Sequence, residues 1–358
     1  MDRAGNLYGT AYAGGYTGGN CAGGCGVVFK LTRSHSGWLY TTLYKFTGPD
    51  GSNPAARVVI GPNGSLYGTT VYGGAANRGT VYNLSPPASA CKTALCPWTE
   101  TVVYSFKGGS DGQWPEYGDV IFDQAGNLYG TTPNGGDPSC FDSCGIVFKL
   151  TPSNGGWTEG ILYSFQGTND GAFPYGSVIF DNVGNLYGTA EAGGAEGSGT
   201  VYELVPSGGG WTLSTLHSFT YGEDGAEPYG GLILDQSGNL YGATEAGGSE
   251  SGGEAYQLTP SNGGWIFAPL YGFNAYSGSF AKLAMDTSGN LYGTLASSET
   301  TEVFRLTPSN GGWIQTGFPG SAGGYPFGSV ILDASGNVYS TASYGGTYEK
   351  GVVFEIAP

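Results

Sequence analysis

Residues 177–189 read Ser-Val-Ile-Phe-Asp-Asn-Val-Gly-Asn-Leu-Tyr-Gly-Thr, and close relatives of this stretch recur along the chain. Its core, Gly-Asn-Leu-Tyr-Gly or a near variant, occurs seven times at intervals of 47 to 62 residues. The tyrosines of the seven copies are Tyr8, Tyr67, Tyr129, Tyr187, Tyr241, Tyr292 and Tyr339. Repeats of this length are typical of propellers and related arrays, so the repeat decides the fold.

Each copy contains four short segments, which we name a, b, c and d. In the fourth copy they are Val178–Asp181 (a), Asn185–Gly188 (b), Val201–Leu204 (c) and the run from Trp211 to Phe219 (d). All are rich in Val, Ile, Tyr, Phe and Thr and are bounded by Gly, Pro, Asn or Asp, which indicates strands. The Asp-x-x-Gly-Asn sequence between a and b predicts a tight hairpin, because Gly and Asn accept left-handed backbone angles.

Four sequential antiparallel strands in seven copies predict an all-β, seven-bladed β-propeller. An open β-solenoid is the alternative, although its coils are much shorter than about 50 residues. Six a, seven b, seven c and six d segments are present, so the first and last blades should be incomplete. We predict one repeat domain over 1–358, with blades near 1–50, 51–110, 111–170, 171–224, 225–276, 277–320 and 321–358.

The strands that would complete the terminal blades are d of the seventh blade and a of the first. We expect the native protein to supply them on at least ~30 further N-terminal residues, at about 3.3 Å per strand residue, after a signal peptide. If they are not supplied, open strand edges favour pairing with another copy of the chain. Self-assembly into a filament or surface layer is therefore one alternative for the function.

The segments Gly-Asn-Leu-Tyr-Gly-Thr, Val-Phe-Lys-Leu-Thr-Pro and Leu-Tyr-Ser-Phe resemble the GloVer tandem repeat of bacterial extracellular proteins. The resemblance covers essentially the whole chain, and several distinct segments recur in one order. It implies export and a propeller-like fold. It implies no reaction, because the family supplies no catalytic motif to carry over.

Composition restricts the partners of the chain. Its 28 acidic and 12 basic residues give a net charge of −16, which would repel a phosphate backbone, so no nucleic-acid partner is expected. Aromatic residues make up 14% of the chain, which argues against disorder despite its 69 glycines. No apolar run approaches the ~20 residues that span a bilayer, so no transmembrane segment is predicted.

The six cysteines form three local pairs, Cys21–Cys25, Cys91–Cys96 and Cys140–Cys144. They fall in lengthened loops, where disulfides would act as staples and imply an oxidising compartment. A zinc site would need four converging ligands, and neither of the two histidines is near a cysteine pair in sequence. We therefore predict three disulfides and an extracellular or cell-surface location.

Alternating strand direction places the b-to-c and d-to-a connections on one side of the propeller, which we call the variable side. The a-to-b hairpins and c-to-d turns lie on the other, the hairpin side, and have the regular sequences of a scaffold. Function usually concentrates on variable loops. The ligand-binding residues that we predict there are Trp114, Glu116, Tyr117, Tyr175 and Tyr229.

Trp114 is the exception among the tryptophans. The other six start segment d in successive copies and are expected to pack between blades. Trp114 lies instead in a d-to-a loop, where it and the nearby tyrosines could stack on sugar rings. The tyrosines recur in several copies, so lining of the channel mouth is the alternative role for them.

Four d-to-a loops carry the sequence Asp-Gly-x-x-Pro. Their carboxylates are weak candidates for a Ca²⁺ site, since Ca²⁺ prefers oxygen ligands. One carboxylate per loop falls short of the six to eight oxygens that Ca²⁺ takes, so an Asx-turn is favoured and no other cofactor is expected. The four residues are Asp50, Asp111, Asp170 and Asp224.

Few residues could serve catalysis. His35 lies in a hairpin-side turn and His217 replaces a repeat tyrosine, so neither is expected to reach the variable side, which excludes histidine-based triads. Glu191 and Glu245 occupy equivalent positions in neighbouring blades and are weak candidates for a glycosidase pair, whose carboxyls stand ~5 to 9.5 Å apart. Equivalence in a repeat equally supports a structural role.

These observations favour a non-catalytic propeller that binds glycan or other extracellular matrix material through its variable side. Self-assembly with copies of itself and a carboxylate-based carbohydrate-active enzyme are the alternatives.

Overall fold

The computed structural model describes residues 1–19, 21–87, 97–140, 143–274, 278–296, 301–320 and 328–357, together with Gly324 and Pro326. The chain is a seven-bladed β-propeller of small antiparallel sheets, as predicted, and the solenoid alternative is wrong. Five sheets have four strands, and the first and last have three, in agreement with the segment count. Within the described residues, no helix is long and apolar enough to cross a membrane.

The chain divides into two compact units, Met1–Phe165 and Gln166–Pro358. The first contains three sheets and two short 3-10 turns, Pro62–Gly64 and Gly109–Asp111. Its strands are β1 Leu7–Ala11, β2 Val27–Ser34, β3 Gly37–Lys45, β4 Val59–Ile60, β5 Leu66–Thr70, β6 Thr80–Ser85, β7 Thr99–Ser105, β8 Ile121–Phe122, β9 Leu128–Thr132, β10 Ile146–Ser153 and β11 Gly156–Ser164.

The second unit contains the remaining four sheets. Its strands are β12 Ile179–Phe180, β13 Leu186–Ala190, β14 Thr200–Ser207, β15 Gly210–Ser218, β16 Ile233–Leu234, β17 Leu240–Ala243, β18 Ser251–Ser261, β19 Gly264–Asn274, β20 Ala284–Met285, β21 Leu291–Ala296, β22 Thr301–Ser309, β23 Gly312–Gly320, β24 Ile331–Leu332, β25 Val338–Ala342 and β26 Val352–Ile356.

The glycine of Leu-Tyr-Gly in strand b lies directly opposite an aromatic residue of strand c. At Gly130, an added Cβ would stand 2.7 Å from Cζ of Phe148, so the ring occupies the space that any side chain would need. The same arrangement explains why glycine recurs at this position. The pairs are Gly9–Phe29, Gly68–Tyr82, Gly130–Phe148, Gly188–Tyr202, Gly242–Tyr256 and Gly293–Phe304.

Four of the six tryptophans that start strand d pack against the preceding blade, as predicted for all six. Trp265 of the fifth blade meets Tyr187 of the fourth edge-on, with ring centroids 5.7 Å apart. Other tryptophans pack against the same apolar clusters as the strand-b tyrosine of the preceding blade. These further pairs are Trp98 with Tyr8, Trp157 with Tyr67, and Trp313 with Tyr241.

An aspartate organises the a-to-b hairpin, as the turn chemistry predicted. In the third blade, Oδ1 of Asp123 accepts the Asn127 N–H at 2.8 Å, and Oδ2 accepts the Tyr129 hydroxyl at 3.0 Å. Burial opposes the charged form, but these hydrogen bonds outweigh it and lower the pKa of Asp123. The second blade has Gly61 at this position and closes its hairpin with the 3-10 turn instead.

A polar contact joins the second and third blades. Nε of Arg57 donates to Oδ2 of the buried Asp119 at 2.8 Å, and the Arg57 backbone N–H donates to Oδ1 at 2.9 Å. The Asp119 charge raises the pKa of Arg57. The contact links residues that are far apart in sequence, and the repeat pattern gave no sign of it.

We expect Gly130→Ala to lower the free energy of unfolding by roughly 1–3 kcal/mol, the usual cost of overpacking a core. The new methyl group would collide with the buried Phe148 ring. Gly160→Ala in the same blade is the control, because a Cβ there meets nothing within 4 Å. Denaturant titration of both variants measures the difference, and equal stabilities would contradict the packing argument.

Candidate functional site

The d-to-a and b-to-c connections lie on the same side of each sheet, as predicted. Isolated antiparallel bridges join the two kinds of loop in four blades, and each of them holds a d-to-a connection against the b-to-c connection of the blade that it enters. The bridged pairs are Ser52–Tyr72, Gln113–Asn134, Ala172–Ala192 and Ala226–Ala246.

The residue before the proline of each Asp-Gly-x-x-Pro loop has a left-handed backbone. Asn53, Trp114, Phe173 and Glu227 have φ between 57° and 59°. Such a conformation is costly for a bulky residue and persists where surrounding contacts hold it. The Trp114 N–H donates to the Arg78 carbonyl at 2.9 Å, and the same kind of bond joins Glu227 to Ser198. These loops therefore present fixed side chains.

In the first unit, an aromatic group surrounds Trp114. The Trp114 ring meets the Tyr72 ring edge-on at 6.4 Å, and the Arg78 guanidinium lies 5.2 Å from the Trp114 ring centroid. Tyr12 is hydrogen-bonded to Tyr72, and burial is the main reason that its pKa is raised. We call Tyr12, Tyr72, Arg78, Trp114, Glu116 and Tyr117 the aromatic group.

The aromatic group is accessible from solvent. The exposed fractions are 48% for Tyr12, 39% for Tyr72 and 36% for Tyr117. Burial raises the pKa of Glu116, and a hydrogen bond with Tyr117 partly opposes this shift. The group therefore combines open aromatic surface with one carboxyl group and one cation.

In the second unit, aromatic rings lie beside glutamates. The Tyr175 and Tyr229 rings are 5.0 Å apart and tilted by 30°, and Phe280 lies 5.4 Å from Tyr229 on centroids. The Tyr229 hydroxyl donates to Oε1 of Glu191 at 3.0 Å. We call Tyr175, Glu191, Glu227, Tyr229, Glu245 and Phe280 the carboxylate group.

The glutamates of the carboxylate group influence one another. Burial raises the pKa of Glu245 to about 7, and the charges of Glu227 and Glu191 add to the shift. Burial also raises the pKa of Glu191, which the Tyr229 hydrogen bond partly opposes. The structure thus brings the predicted Glu191–Glu245 pair within electrostatic range.

Glu227 is a third member that the sequence did not single out as a catalytic candidate. Its charge raises the pKa of both Glu191 and Glu245. The sequence contained one sign of this role. Glu227 precedes Pro228 in its Asp-Gly-x-x-Pro loop, the same position that Trp114 occupies in the third blade. Only the structure shows that this position is left-handed and that Glu227 is near both partners.

The predicted ligand-binding residues fall into two separate sets. Trp114, Glu116 and Tyr117 belong to the first unit, whereas Tyr175 and Tyr229 stack on each other in the second. The sequence placed Tyr72 on the same side as Trp114 but did not name it as a ligand-binding residue, and it gave no sign of Arg78, because both residues come from a different loop.

The four Asp-Gly-x-x-Pro carboxylates accept backbone hydrogen bonds within their own loops, but the donors lie three or four residues earlier, whereas the predicted Asx-turn would use the N–H two residues later. The Asp50 carboxylate accepts the Thr47 N–H at 2.8 Å and Asp111 accepts the Lys107 N–H at 2.6 Å. Asp170 and Asp224 accept from Gln166 and Thr220 in the same way. Among the described residues, no three acidic, histidine or cysteine side chains are grouped to hold a metal ion.

The prediction that His217 does not reach the variable side is wrong. Its Nε2 lies 3.0 Å from Oδ2 of Asp224, a d-to-a loop residue, and its ring stacks on Phe267 at 4.1 Å. Burial lowers the pKa of His217, and Asp224 opposes this shift. Tyr44 makes the equivalent bond to Asp50, so His217 replaces a tyrosine that anchors the loop aspartate.

Two of the predicted disulfides are present, Cys21–Cys25 and Cys140–Cys144, with Cα atoms 4.9 Å and 5.8 Å apart. Both close lengthened b-to-c loops. The predicted Cys91–Cys96 pair lies outside the described residues.

Solved structures with this fold include several enzymes. An ulvan lyase of a polysaccharide lyase family has a TM-score of 0.51 at 11% identity, over 82% of this chain and 80% of that one. Prolyl oligopeptidase B from Galerina marginata has a TM-score of 0.50 at 10% identity, over 92% of this chain and 46% of that one. A gluconolactonase from Xanthomonas campestris has a TM-score of 0.43 at 13% identity, over 80% and 82%. At such identities the likenesses to the lyase and to the oligopeptidase show the propeller fold alone.

Sequence comparison gives the family. No curated protein matches the chain significantly. The model of the Gloeobacter/Verrucomicrobia repeat matches residues 94–303, which is more than half of the chain. This match agrees with the resemblance that the recurring segments indicated, and the chain belongs to the Gloeobacter/Verrucomicrobia repeat family.

Proposed function

We propose that the protein is an extracellular, non-catalytic propeller that binds glycans through the aromatic group of its variable side. The observation that carries the proposal is the exposed set of aromatic rings around Trp114, beside one carboxyl group and one guanidinium. Aromatic faces suit the C–H faces of sugars, and the polar side chains can bond sugar hydroxyls.

The aromatic group is held in place before any ligand arrives. Trp114 is fixed by its backbone bond to Arg78, by the Tyr72 ring and by the Arg78 guanidinium. Binding to a preorganised surface loses less conformational entropy than binding to a mobile one. The Arg78 guanidinium beside the Trp114 ring can bond a carboxylate or sulfate group of a glycan, although the net charge of −16 opposes acidic ligands at longer range.

The two disulfides support an extracellular location for this activity. Disulfides persist in oxidising compartments and are rare where thiols are kept reduced. Both bonds in the described residues close loops of the variable side. They would keep long loops near the aromatic group ordered outside the cell.

We expect Trp114→Ala to weaken glycan binding about tenfold or more, the loss typical of a central aromatic contact. A panel of neutral, uronate-containing and sulfated glycans, read out on an array and by calorimetry, provides the test. Trp38→Ala is the matched control, because Trp38 also packs against a guanidinium, that of Arg33 at 4.9 Å, but in a hairpin-side turn.

Arg78→Ala should reduce binding of acidic glycans more than that of neutral ones. Tyr175→Ala tests whether the carboxylate group takes part in the same binding. A panel without any bound glycan, or binding indifferent to Trp114→Ala, would refute the proposal.

A carboxylate-based carbohydrate-active enzyme is the second candidate function. Burial raises the pKa of both Glu191 and Glu245, but a hydrogen bond from Tyr229 partly opposes the shift at Glu191, whereas the charges of Glu227 and Glu191 add to it at Glu245. Two carboxyls in different environments are the arrangement that acid–base hydrolysis of glycosides uses. The pKa of about 7 at Glu245 would suit a general acid at neutral pH.

If this second candidate is right, Glu245→Gln should lower kcat by about 10²-fold or more while leaving KM little changed. The rate should also fall as the pH rises through about 7, because Glu245 then loses the proton that it donates. Glu191→Gln should cost a similar factor, and Glu196→Gln, in the exposed loop nearby, is the control. Turnover unchanged in both variants would exclude this pair.

Self-association is the third candidate. The first and last sheets have three strands each, and a strand edge that no other segment of the protein covers can pair with another chain. Sedimentation velocity over a hundredfold dilution separates this candidate from the others. A monomer that persists at all concentrations would exclude assembly.

A further inference from the structure

Three side chains with acidic or phenolic oxygens meet where the second blade joins the third. Tyr104 ends β7, Asp111 lies in the connecting 3-10 turn, and Glu159 belongs to β11. The Tyr104 hydroxyl oxygen is 2.5 Å from Oδ1 of Asp111 and 3.0 Å from Oε2 of Glu159. Both distances are those of hydrogen bonds.

A count of hydrogens shows that this group needs an additional proton. A phenol has one hydrogen to donate, and an ionised carboxylate can only accept. With both carboxyls ionised, the tyrosine could therefore donate to only one of them. At the other contact, a lone pair of the tyrosine oxygen would face a lone pair of the carboxylate with no hydrogen between them. Protonation of one carboxyl removes the conflict, because its O–H can donate to the tyrosine oxygen.

The surroundings decide which carboxyl carries the proton. Asp111 accepts the Lys107 N–H at 2.6 Å, and its Oδ1 lies 4.0 Å from the Lys107 ammonium, so a donor and a cation lie beside its oxygens. Oε1 of Glu159 is buried and has no hydrogen-bond partner among the described residues, which disfavours charge. Among the described residues, Lys107 is the other charged group that acts on Glu159, and its charge opposes protonation of Glu159.

We propose that Tyr104, Asp111 and Glu159 form a proton-sharing clasp that holds the second and third blades together and loosens as the solution becomes alkaline. Burial, with Asp111 adding to it, raises the pKa of Glu159 to about 8. An unfolded glutamate has a pKa of about 4.3. The stabilisation is therefore complete below about pH 4.3 and is lost as the pH rises through about 8.

The preceding boundary has a looser version of this arrangement. The Tyr44 hydroxyl donates to Oδ2 of Asp50 at 2.6 Å, and the Asp50 charge acts on Glu100 of the second blade. Among the described residues, Glu100 makes no hydrogen bond to Tyr44, and its buried Oε1 has no partner. Burial and the Asp50 charge raise the pKa of Glu100 to about 7. Tyr82 is the other titratable group facing Glu100, and its own pKa is raised.

The position of these two glutamates lies two residues after the tryptophan that starts strand d. Of the six strand-d segments in the chain, those of the second and third blades have glutamate there, as Glu100 and Glu159. The other described blades have Tyr40, Leu213, Phe267 and Gln315 there. The fold therefore does not require a carboxyl at this position, and the clasp is an added feature of the first unit.

Thermal unfolding between pH 5.5 and 9.5 tests the clasp. We expect the Tm of the wild type to fall with rising pH, by roughly 2–4 °C for each clasp. Glu100→Gln/Glu159→Gln should flatten this dependence and match or exceed the wild-type Tm at pH 9.5, because the amide mimics the protonated acid. Glu196→Gln, which alters an exposed glutamate, should retain the wild-type slope.

Infrared spectroscopy gives an independent readout that does not depend on variant stability. At pH 6 the wild type should show the C=O stretch of a protonated carboxylic acid, and Glu159→Gln should lose part of it. A wild type without this band at pH 6, or a double variant with the full wild-type dependence of Tm on pH, would overturn the proposal. Both measurements use the full chain without ligand, so they are independent of the glycan proposal.

Discussion

The packing of a strand-b glycine under a strand-c aromatic ring is the constraint on which the blades depend. The glycine leaves room for the ring, and the ring then meets the phenylalanine that follows strand d of the preceding blade. Phe106 contacts Phe148 at 5.2 Å, Phe219 contacts Tyr256 at 5.2 Å, and Phe273 contacts Phe304 at 4.9 Å. Edge-to-face contacts at these distances add to the apolar burial. One small residue in each copy thus makes possible both the pairing within a sheet and the contact to its neighbour.

This repeated frame lets one backbone conformation present different chemistry. The left-handed residue of the Asp-Gly-x-x-Pro loop is asparagine, tryptophan, phenylalanine or glutamate in successive blades, with φ nearly constant. The loop aspartate, its tyrosine or histidine partner and the bridge to the b-to-c connection keep the backbone in place. A change of side chain therefore alters the local chemistry of the surface without altering the fold. Trp114 and Glu227 occupy the same position, one in an aromatic group and the other in a carboxylate group.

The sequence predicted what depends on local chemistry repeated in each copy. Strands, the Asp123-type hairpins and the tryptophans between blades all follow from short-range patterns and could be read from one repeat. The site depends on contacts between loops that are distant in sequence. Arg78 meets Trp114 from another loop, and Tyr104 meets Glu159 at a separation of 55 residues. A period identifies equivalent residues, but it does not give the distances between inequivalent ones in neighbouring blades.

The carboxyl groups of the fold divide into two sets with opposite responses to pH. The hairpin aspartates are bonded by asparagine, tyrosine and backbone donors, which lower the pKa of Asp123, Asp235 and Asp333 despite desolvation. Their stabilisation is present above the ordinary aspartate pKa and is lost as the pH falls through the folded values. Glu100 and Glu159 at the blade boundaries have raised pKa values, so their stabilisation disappears in the opposite direction. Acid weakens the turns within blades, whereas alkali weakens the contacts between them. The pH range in which both sets of carboxyl groups stabilise the fold therefore depends on where each carboxyl lies in the propeller. It does not depend on the net charge of the chain.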